Sequence, residues 1–553
     1  MNAKHTPLII GILVILLLAS ACGGAAATEE PSLREEPAEP AEEPVASAAP
    51  EEPLYAGEPE MGSAPAFSGR DEESFSAEGP MAPSKSGYPD DDEPYDMFFE
   101  DYGVNPIIDT EDDHLSTFAL DVDTGSYTVM RNYLNEGYLP PEESVRVEEY
   151  VNYFEQDYPN PPAHQAFGIY IDGAPSPFTE TERYQMLRVG IQGYEVPDRQ
   201  RKDVSLTFVI DVSGSMGMDN RLELVKRSLE MLVEQLRPSD QVGIVVYGSD
   251  ARVVLEPTPA SRKGRILEAI YSLRTEGATN AEAGLRLGYK MAMRAYEREA
   301  VNRVILCSDG VANVGQTEAD AILHEVHGYV EEGITLATFG FGMDNYNDIL
   351  MEQLADNGDG TYAYVDDLGE ARRLFVDDLT GSLQTIAMDA KVQVDFNPEA
   401  VSRYRLVGFE NRDVADEDFR NNRVDAGEIG AGHSVTALYE VKLYPEAHRR
   451  ERIATVYMRW EDPDTHQVVE ISKDFRVGDL AREFHKADPY FQRAVIVAEY
   501  AEILRDSYWA QDSSLDAVYE EAQWVGEYLY REEEMQEFVE LVREARRLAD
   551  SWY

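Results

Sequence analysis

The chain has 553 residues, enough for three or four domains, and carries 106 acidic against 48 basic side chains, a formal net charge of -58. A surface of that sign repels phosphate and excludes a nucleic-acid-binding role. The acidity is general. Residues 23–112 hold 25 acids and 3 bases, yet most of the negative charge lies further on. Lysines number 10 against 38 arginines. An acidic, lysine-poor surface suits a high-salt habitat that screens self-repulsion, and an ordinary acidic soluble protein gives the same picture. Of the two cysteines, Cys307 lies inside the apolar stretch VILCSDG, which predicts a buried, unpaired thiol and no disulfide.

Residues 1–22 hold Lys4, an apolar run from Leu8 to Leu18, and then Ala19-Ser20-Ala21-Cys22. A positive charge, a short apolar core and small residues make a secretory signal, and the run is too short to cross a bilayer comfortably. The cysteine after the small residues resembles the lipobox of bacterial lipoproteins, although Ala19 stands where Leu is commonest. The resemblance implies that Cys22 becomes the lipidated first residue of the mature chain, with several acyl chains giving a stable anchor. Gly23 follows where Asp would favour retention at the inner membrane, so the outer membrane is the expected site if there is one; otherwise it is the outer face of the cytoplasmic membrane.

Residues 23–112, rich in Glu, Pro, Ala, Ser and Gly, are expected to be a disordered, self-repelling tether. Residues 113–200 form an N-terminal α+β segment. It opens with a short strand in STFALDV and a helix ending near Asn135-Glu136-Gly137, which Thr124 or Ser126 would cap. A second helix is predicted from Glu143 to Phe154, and strands at FGIYIDGA and YQMLRVGIQGYEV. Asp121, Asp123, Thr124 and Ser126 mimic a metal loop, with turn and capping hydrogen bonds as the plainer reading. From 201 to 383 strands and helices alternate with one hairpin, which predicts an α/β domain with a doubly wound, mostly parallel, Rossmann-like sheet. Residues 384–478 revert to strands and predict a β-sandwich-like domain, with the strands of 167–196 packed into it and the α/β domain inserted between. Residues 479–553 are helical. Asp488-Pro489 opens a helix through Leu504, and its Phe491, Val495 and Ala498 share a face expected to pack on the sandwich.

The organising stretch is DVSLTFVIDVSGSM, residues 203–216. Its apolar run reads as a strand buried on both faces, and its C-terminal end carries Asp211, Ser213 and Ser215 on alternate positions. Ligands of open α/β sheets bind at that edge. Oxygen donors without Cys or His suit a hard divalent cation, Mg²⁺ first, with Ca²⁺ or Mn²⁺ as alternatives. Two more loops fall at the same edge: Gly277-Ala278-Thr279-Asn280, where Asn280 caps the next helix, and Ser308-Asp309-Gly310 after RVILC. Asp344 and Asn345 lie near that edge, Asp356 to Gly360 read as a tight turn, and His324 and His327 as exposed helix positions.

At these residues the chain resembles the von Willebrand factor type A family, whose metal-ion-dependent adhesion site is written D-x-S-x-S, then Thr, then Asp. The matching positions are Asp211, Ser213, Ser215, Thr279 and Asp309. The resemblance implies that these side chains hold the metal, directly or through water, and leave one coordination position to an acidic side chain of a protein ligand. STFALDVDTGSY, VRVEEYVNYF, LRPSDQVGIVVY, NRVILCSDGVANVG and DAGEIGAGHSVTALYEV further resemble bacterial von Willebrand A lipoproteins of the YfbK kind, over roughly residues 114–553.

The expectation is therefore a monomeric, membrane-anchored envelope lipoprotein that binds a protein partner and is not an enzyme. Two rivals differ in class. One is an envelope scaffold with an incidental metal. The other is a metal-dependent hydrolase, against which stand the lack of a Ser–His pair, of a second-metal cluster and of a phosphate-cradling glycine loop in the sequence.

Overall fold

The structure, a computed structural model, describes residues 99–551 apart from 121, 180, 182, 311–315, 331, 343–347 and 425. The signal segment with Cys22, most of the tether, Asp121, Asp344 and Asn345 lie outside the described residues, and the expected tether ends too late: Asn105 bonds Gly408 and Trp509, and Ile108–Asp109 pair with the strand at 401–407, so the fold begins before residue 113.

The chain enters through β1 (Ile108–Asp109), β2 (Leu115–Ala119), α1 (Gly125–Asn135), α2 (Val147–Asn152), β3 (Phe167–Pro175) and β4 (Tyr184–Gly193). An α/β unit comes next: β5 (Val204–Asp211), α3 (Arg221–Gln235), β6 (Gln241–Tyr247), β7 (Ala251–Pro259), α4 (Lys263–Ser272), α5 (Ala281–Arg294), β8 (Val301–Ser308), α6 (Gln316–Val330), β9 (Ile334–Gly340), α7 (Asp348–Asp356), β10 (Tyr362–Tyr364), α8 (Leu368–Arg372) and α9 (Leu379–Leu383). The chain closes with β11 (Thr385–Phe396), β12 (Val401–Val407), β13 (Gly427–Gly430), β14 (Ser434–Leu443), β15 (Arg452–Glu461), β16 (Val468–Arg476), α10 (Pro489–Leu504), α11 (Leu515–Tyr528) and α12 (Glu533–Ser551).

The α/β unit holds a six-stranded sheet in the order β10-β9-β8-β5-β6-β7, parallel throughout except for the hairpin of β6 and β7. Every residue of β5 is buried, and its side chains alternate between the two faces. Leu206, Phe208 and Ile210 join Val225, Leu229 and Ile266 of α3 and α4. Val209 joins Leu285 of α5 and Leu354 of α7 on the other face. Gly288 lets α5 close onto the sheet, since a Cβ there would meet Val209 Cγ2 at 2.3 Å. The chain steps from β5 to β6 on one side and returns to β8 on the other. The carboxyl ends of β5 and β8 therefore flank the switch point where open α/β sheets bind ligands.

Two further sheets make a sandwich. One runs β1-β12-β14-β4-β3, and the other runs β13-β11-β15-β16 with β2 also paired to β11. Strands before and after the α/β unit thus share a sheet: β4 pairs β14 along Tyr184–Gln192 and Ser434–Lys442. Phe167, Phe396, Tyr404, Tyr439 and Trp460 fill the space between the sheets. Helix α10 is capped by Asp488, whose side chain accepts the N–H of Tyr490 and Phe491, with Pro489 at its start. Its Phe491, Val495 and Ala498 share one cluster with Tyr127, Tyr150, Phe538 and the sandwich residues Met186 and Leu438, so the helix packs on α1, α2 and α12 as well as on the sheet.

Some local expectations are corrected. The helix predicted over Glu143–Phe154 is a 3₁₀ turn at Glu142–Ser144 and the shorter α2, separated by extended backbone at Val145 and Arg146. That break directs the buried Arg146 side chain to Glu149 and to Asp348 at 2.9 Å. Neither Thr124 nor Ser126 caps α1 with its side chain; the Glu149 carboxylate accepts the Ser126 N–H at 2.7 Å instead. Asp123 accepts the Tyr362 N–H at 3.0 Å and Thr124 Oγ1 accepts from Arg373, so these residues are used in hydrogen bonding. His324 and His327 are exposed, and Cys307 is a buried free thiol. Among the described residues no helix is long and apolar enough to cross a membrane.

Glu148 on α2 is 2 % exposed and accepts the Phe409 N–H at 2.9 Å. Burial, then the nearby Glu410, push its carboxyl up to about 7. A carboxyl raised by folding contributes stability that is complete below its unfolded value and is lost as pH rises through the folded one. Glu148→Gln should therefore make the protein more stable than its parent near pH 8, by about 1–2 kcal/mol, and change it little near pH 5. Urea melts at the two pH values check this.

Candidate functional site

The site is built at the carboxyl ends of β5 and β8. Asp211, the last residue of β5, is 0 % exposed. Its carboxylate accepts the Ser213 N–H at 2.7 Å and the Ser308 hydroxyl at 3.0 Å. The Ser213 and Ser215 hydroxyls lie 3.0 Å apart. Asp309, one residue past β8, is 4 % exposed, and the Ser215 hydroxyl donates towards its carboxylate. The third loop is tied in by backbone: Gly214 N–H donates to the Gly277 carbonyl at 3.2 Å, and Glu276 N–H to that of Val212. Gly277 has φ +76°, and a Cβ there would meet Ser249 Oγ at 2.4 Å, so this close approach requires glycine. Thr279 comes two residues later, half-buried, just before Asn280, whose side chain accepts the Ala283 N–H at 3.1 Å and caps α5.

The structure therefore brings Asp211, Ser213, Ser215 and Asp309 into one hydrogen-bonded group and sets the Thr279 loop against it. Asp219 and Asn220, between the serine loop and α3, both have positive φ, 46° and 60°. Non-glycine residues held there mark a loop whose shape the surroundings enforce.

Burial dominates the electrostatics. It pushes Asp211 up to about 6, with the Asp309 charge adding to the rise and the Ser213 hydrogen bonds opposing it. Asp309 is also raised by burial, opposed by Ser215 and by the Arg221 guanidinium, whose Nη1 lies 3.1 Å from Asp309 Oδ2. Two buried carboxylates under-compensated by their surroundings fit a hard cation, and the other donors, all hydroxyls, fit Mg²⁺ or Ca²⁺ better than a softer metal. Asp211, Asp309, Ser213, Ser215 and Thr279 are the residues that would hold it, supplying a positive centre that accepts an oxygen ligand from outside. Among the described residues no three His, Cys, Asp or Glu side chains are gathered for a metal, which leaves this mixed carboxylate and hydroxyl set as the candidate.

Sequence reasoning named Ser308 only as part of its loop, without a role, and missed Tyr247 and Arg221 as contributors. Ser308 anchors Asp211, and as the last residue of β8 it was open to the same edge rule. Tyr247 pairs with Asp211 across β5 and β6, and its hydroxyl is held neutral by burial and by that carboxylate. Arg221 is the first residue of α3, where a positive charge opposes the helix dipole; that local misfit was its signal.

This fold and this edge define a protein with a von Willebrand factor type A domain, an interaction module: residues 205–377 match the family model of that description. Residues 93–188 match a model described as von Willebrand factor, and residues 381–548 the model of the C-terminal part of the uncharacterized protein YfbK. The chain is 37 % identical over 451 residues to the uncharacterized protein YfbK of Escherichia coli K12, covering 77 % of each, and it belongs to the YfbK family. It is 26 % identical over 295 residues to an uncharacterized protein of Synechocystis, covering 51 % of this chain and 67 % of that one. It is 28 % identical over 215 residues to human inter-alpha-trypsin inhibitor heavy chain H3, covering 37 % of this chain and 22 % of that one. Among solved structures, a von Willebrand factor type A protein from Catenulispora acidiphila aligns at 17 % identity over 70 % of this chain and 91 % of that one, with a TM-score of 0.43.

Proposed function

We propose that the chain is an exported lipoprotein, anchored to the cell envelope through Cys22, that captures a protein ligand through a divalent cation held by Asp211, Ser213, Ser215, Thr279 and Asp309. The cation is Mg²⁺ on this reading, with Ca²⁺ or Mn²⁺ able to replace it, and the ligand supplies an acidic side chain. The role is binding and not turnover. The observation that carries the reading is the pair of buried carboxylates, Asp211 and Asp309, joined through Ser213 and Ser215 at the switch point of the sheet. A hard cation offsets their repulsion, and an incoming carboxylate completes its oxygen shell. The acidic surface slows an acidic partner at low salt, so association should quicken as salt is raised modestly.

The test is capture from envelope extract on immobilised mature chain, in Mg²⁺ against EDTA. A protein retained only with Mg²⁺ is the expected result. Retention indifferent to EDTA would favour a scaffold that binds through its other surfaces, and the reading would be abandoned.

A further inference from the structure

Three adjacent strands of the α/β sheet end in polar residues that share one face. The order β8-β5-β6 puts Asp211 in the middle, with Ser308 ending β8 on one side and Tyr247 ending β6 on the other. Asp211 and Tyr247 are register partners, and Ile210 pairs with Cys307, which sets Ser308 level with Asp211. Strand alternation carries all three towards α5. Val209, Val245 and Leu306, two residues earlier on each strand, lie in one cluster with Leu285 of that helix. Ser308 uses its place: its hydroxyl donates to Asp211 Oδ2 at 3.0 Å. Tyr247 does not. Its side chain is fully buried and feels both the Asp211 charge and the Ser308 hydroxyl, yet its own hydroxyl meets no partner at hydrogen-bonding distance and angle. An unpaired hydroxyl in a dry place is destabilising. The fold makes room for it even so. A Cβ on Gly284 of α5 would meet Tyr247 Cδ1 at 2.5 Å, so a helix interior carries a glycine, itself unfavourable there, to admit the ring. The Tyr247 carbonyl also accepts the Val212 N–H at 2.9 Å, which ties the start of the serine loop to β6.

We propose that Tyr247 is a positioning residue for the cation site, and that its hydroxyl bonds the Asp211 carboxylate only in the metal-loaded state. The proposal rests on the cation reading above. In the empty site one Asp211 oxygen accepts from the Ser213 N–H and the other from the Ser308 hydroxyl. Each carboxylate oxygen has a second lone pair, so both can take a further bond. Held by hydroxyls from the strands on either side, the carboxylate is fixed in the direction that a bound cation needs. Groups that hydrogen-bond a ligating carboxylate orient it in this way. A contact made in one state alone favours that state, so the phenol hydrogen bond tightens metal binding and adds nothing to the empty protein. Tyr247 acts through Asp211 and touches neither cation nor outside ligand.

The test uses the full mature chain and Mg²⁺ alone. Y247F removes the hydroxyl and keeps the ring; S308A serves as the contrast. Calorimetry reads Mg²⁺ affinity, and thermal scans in EDTA read the empty protein. Y247F should bind Mg²⁺ about tenfold more weakly than the parent. In EDTA it should melt at or above the parent, because it discards a buried hydroxyl that bonds nothing. S308A should lose both affinity and melting temperature, since its hydroxyl is bonded in the empty site. A merely structural tyrosine would behave like Ser308, so the split between the two readouts is the signature. If the parent takes up Mg²⁺ and Y247F binds it as tightly, the positioning role is overturned and the cation site stands. If Y247F melts well below the parent in EDTA, or fails to fold, the hydroxyl already serves the empty protein and the proposal is overturned. If the parent takes up no Mg²⁺, the cation reading falls and this proposal falls with it.

Discussion

Asp211→Asn is expected to weaken Mg²⁺ binding by about a hundredfold or more, because an amide oxygen replaces the more buried of two carboxylates in a site with few charges to lose. The fold should survive. The amide oxygen still accepts from Ser213 N–H or the Ser308 hydroxyl, and the lost charge is one that burial and Asp309 already disfavour. In EDTA the variant should therefore melt close to the parent, while the parent alone gains melting temperature on adding Mg²⁺. Calorimetry and thermal scans with and without EDTA read both effects. A variant that still binds Mg²⁺ like the parent would place the cation elsewhere.

The largest stability effect is expected at Arg146. Its side chain is 7 % exposed and pairs with Glu149, with Asp348 at 2.9 Å and with Glu352 at 3.8 Å, all of them buried. Arg146→Ala takes the arginine from Glu149 and Asp348 at the join between α2 and α7, and leaves Glu352 with Arg412 alone, at 3.1 Å. Removing one partner of a buried ion pair costs about 3–5 kcal/mol, most of it the penalty of the charges left behind. The defect should shrink in acid. Burial holds the Glu352 carboxyl above its ordinary range even beside Arg146 and Arg412, so protonation at lower pH removes a buried charge that the variant compensates less well; the variant loses stability as pH rises. Guanidinium melts near pH 5 and pH 8 measure this, and equal losses at both would show that the network is not electrostatic in origin.

How much of this is legible in the sequence depends on the range of the interactions. The α/β sheet is readable because β5, β8 and β9 are mostly apolar runs whose neighbours are helices of regular period, a pattern local to each element. The gathering of Asp211 and Asp309 is readable from strand ends alone, since parallel strands place their carboxyl ends on one edge. Arg146 is not, because its partners Asp348 and Glu352 are some 200 positions away and nothing in periodicity pairs one buried arginine with them. The same holds for Glu149, which caps α1 in place of Thr124 or Ser126: a helix end accepts any acceptor that tertiary structure delivers. The broken helix at Val145–Arg146 is hidden because its residues are compatible with helix, and tertiary charge pairing overrides that preference.

The shared sheet of the sandwich also sets an order of assembly. Gln192 hydrogen-bonds the carbonyl of Gly432, 240 positions away, so β4 has no neighbour on that side until the ribosome has passed β14, well into the chain. The intervening α/β unit, whose contacts are largely its own, is free to fold first. Once it has done so it brings its two ends to one place, Lys202 N–H donating to the Gln384 side chain at 3.0 Å, and the loop to be closed shrinks from hundreds of residues to the stretch before Val204 and the one from Thr385 to Ser434. Until then β3 and β4 remain an unpartnered hairpin with an apolar face, the kind of species that aggregates or calls for a chaperone. The nascent chain is thus most exposed to misassembly between the synthesis of residue 193 and the arrival of β14.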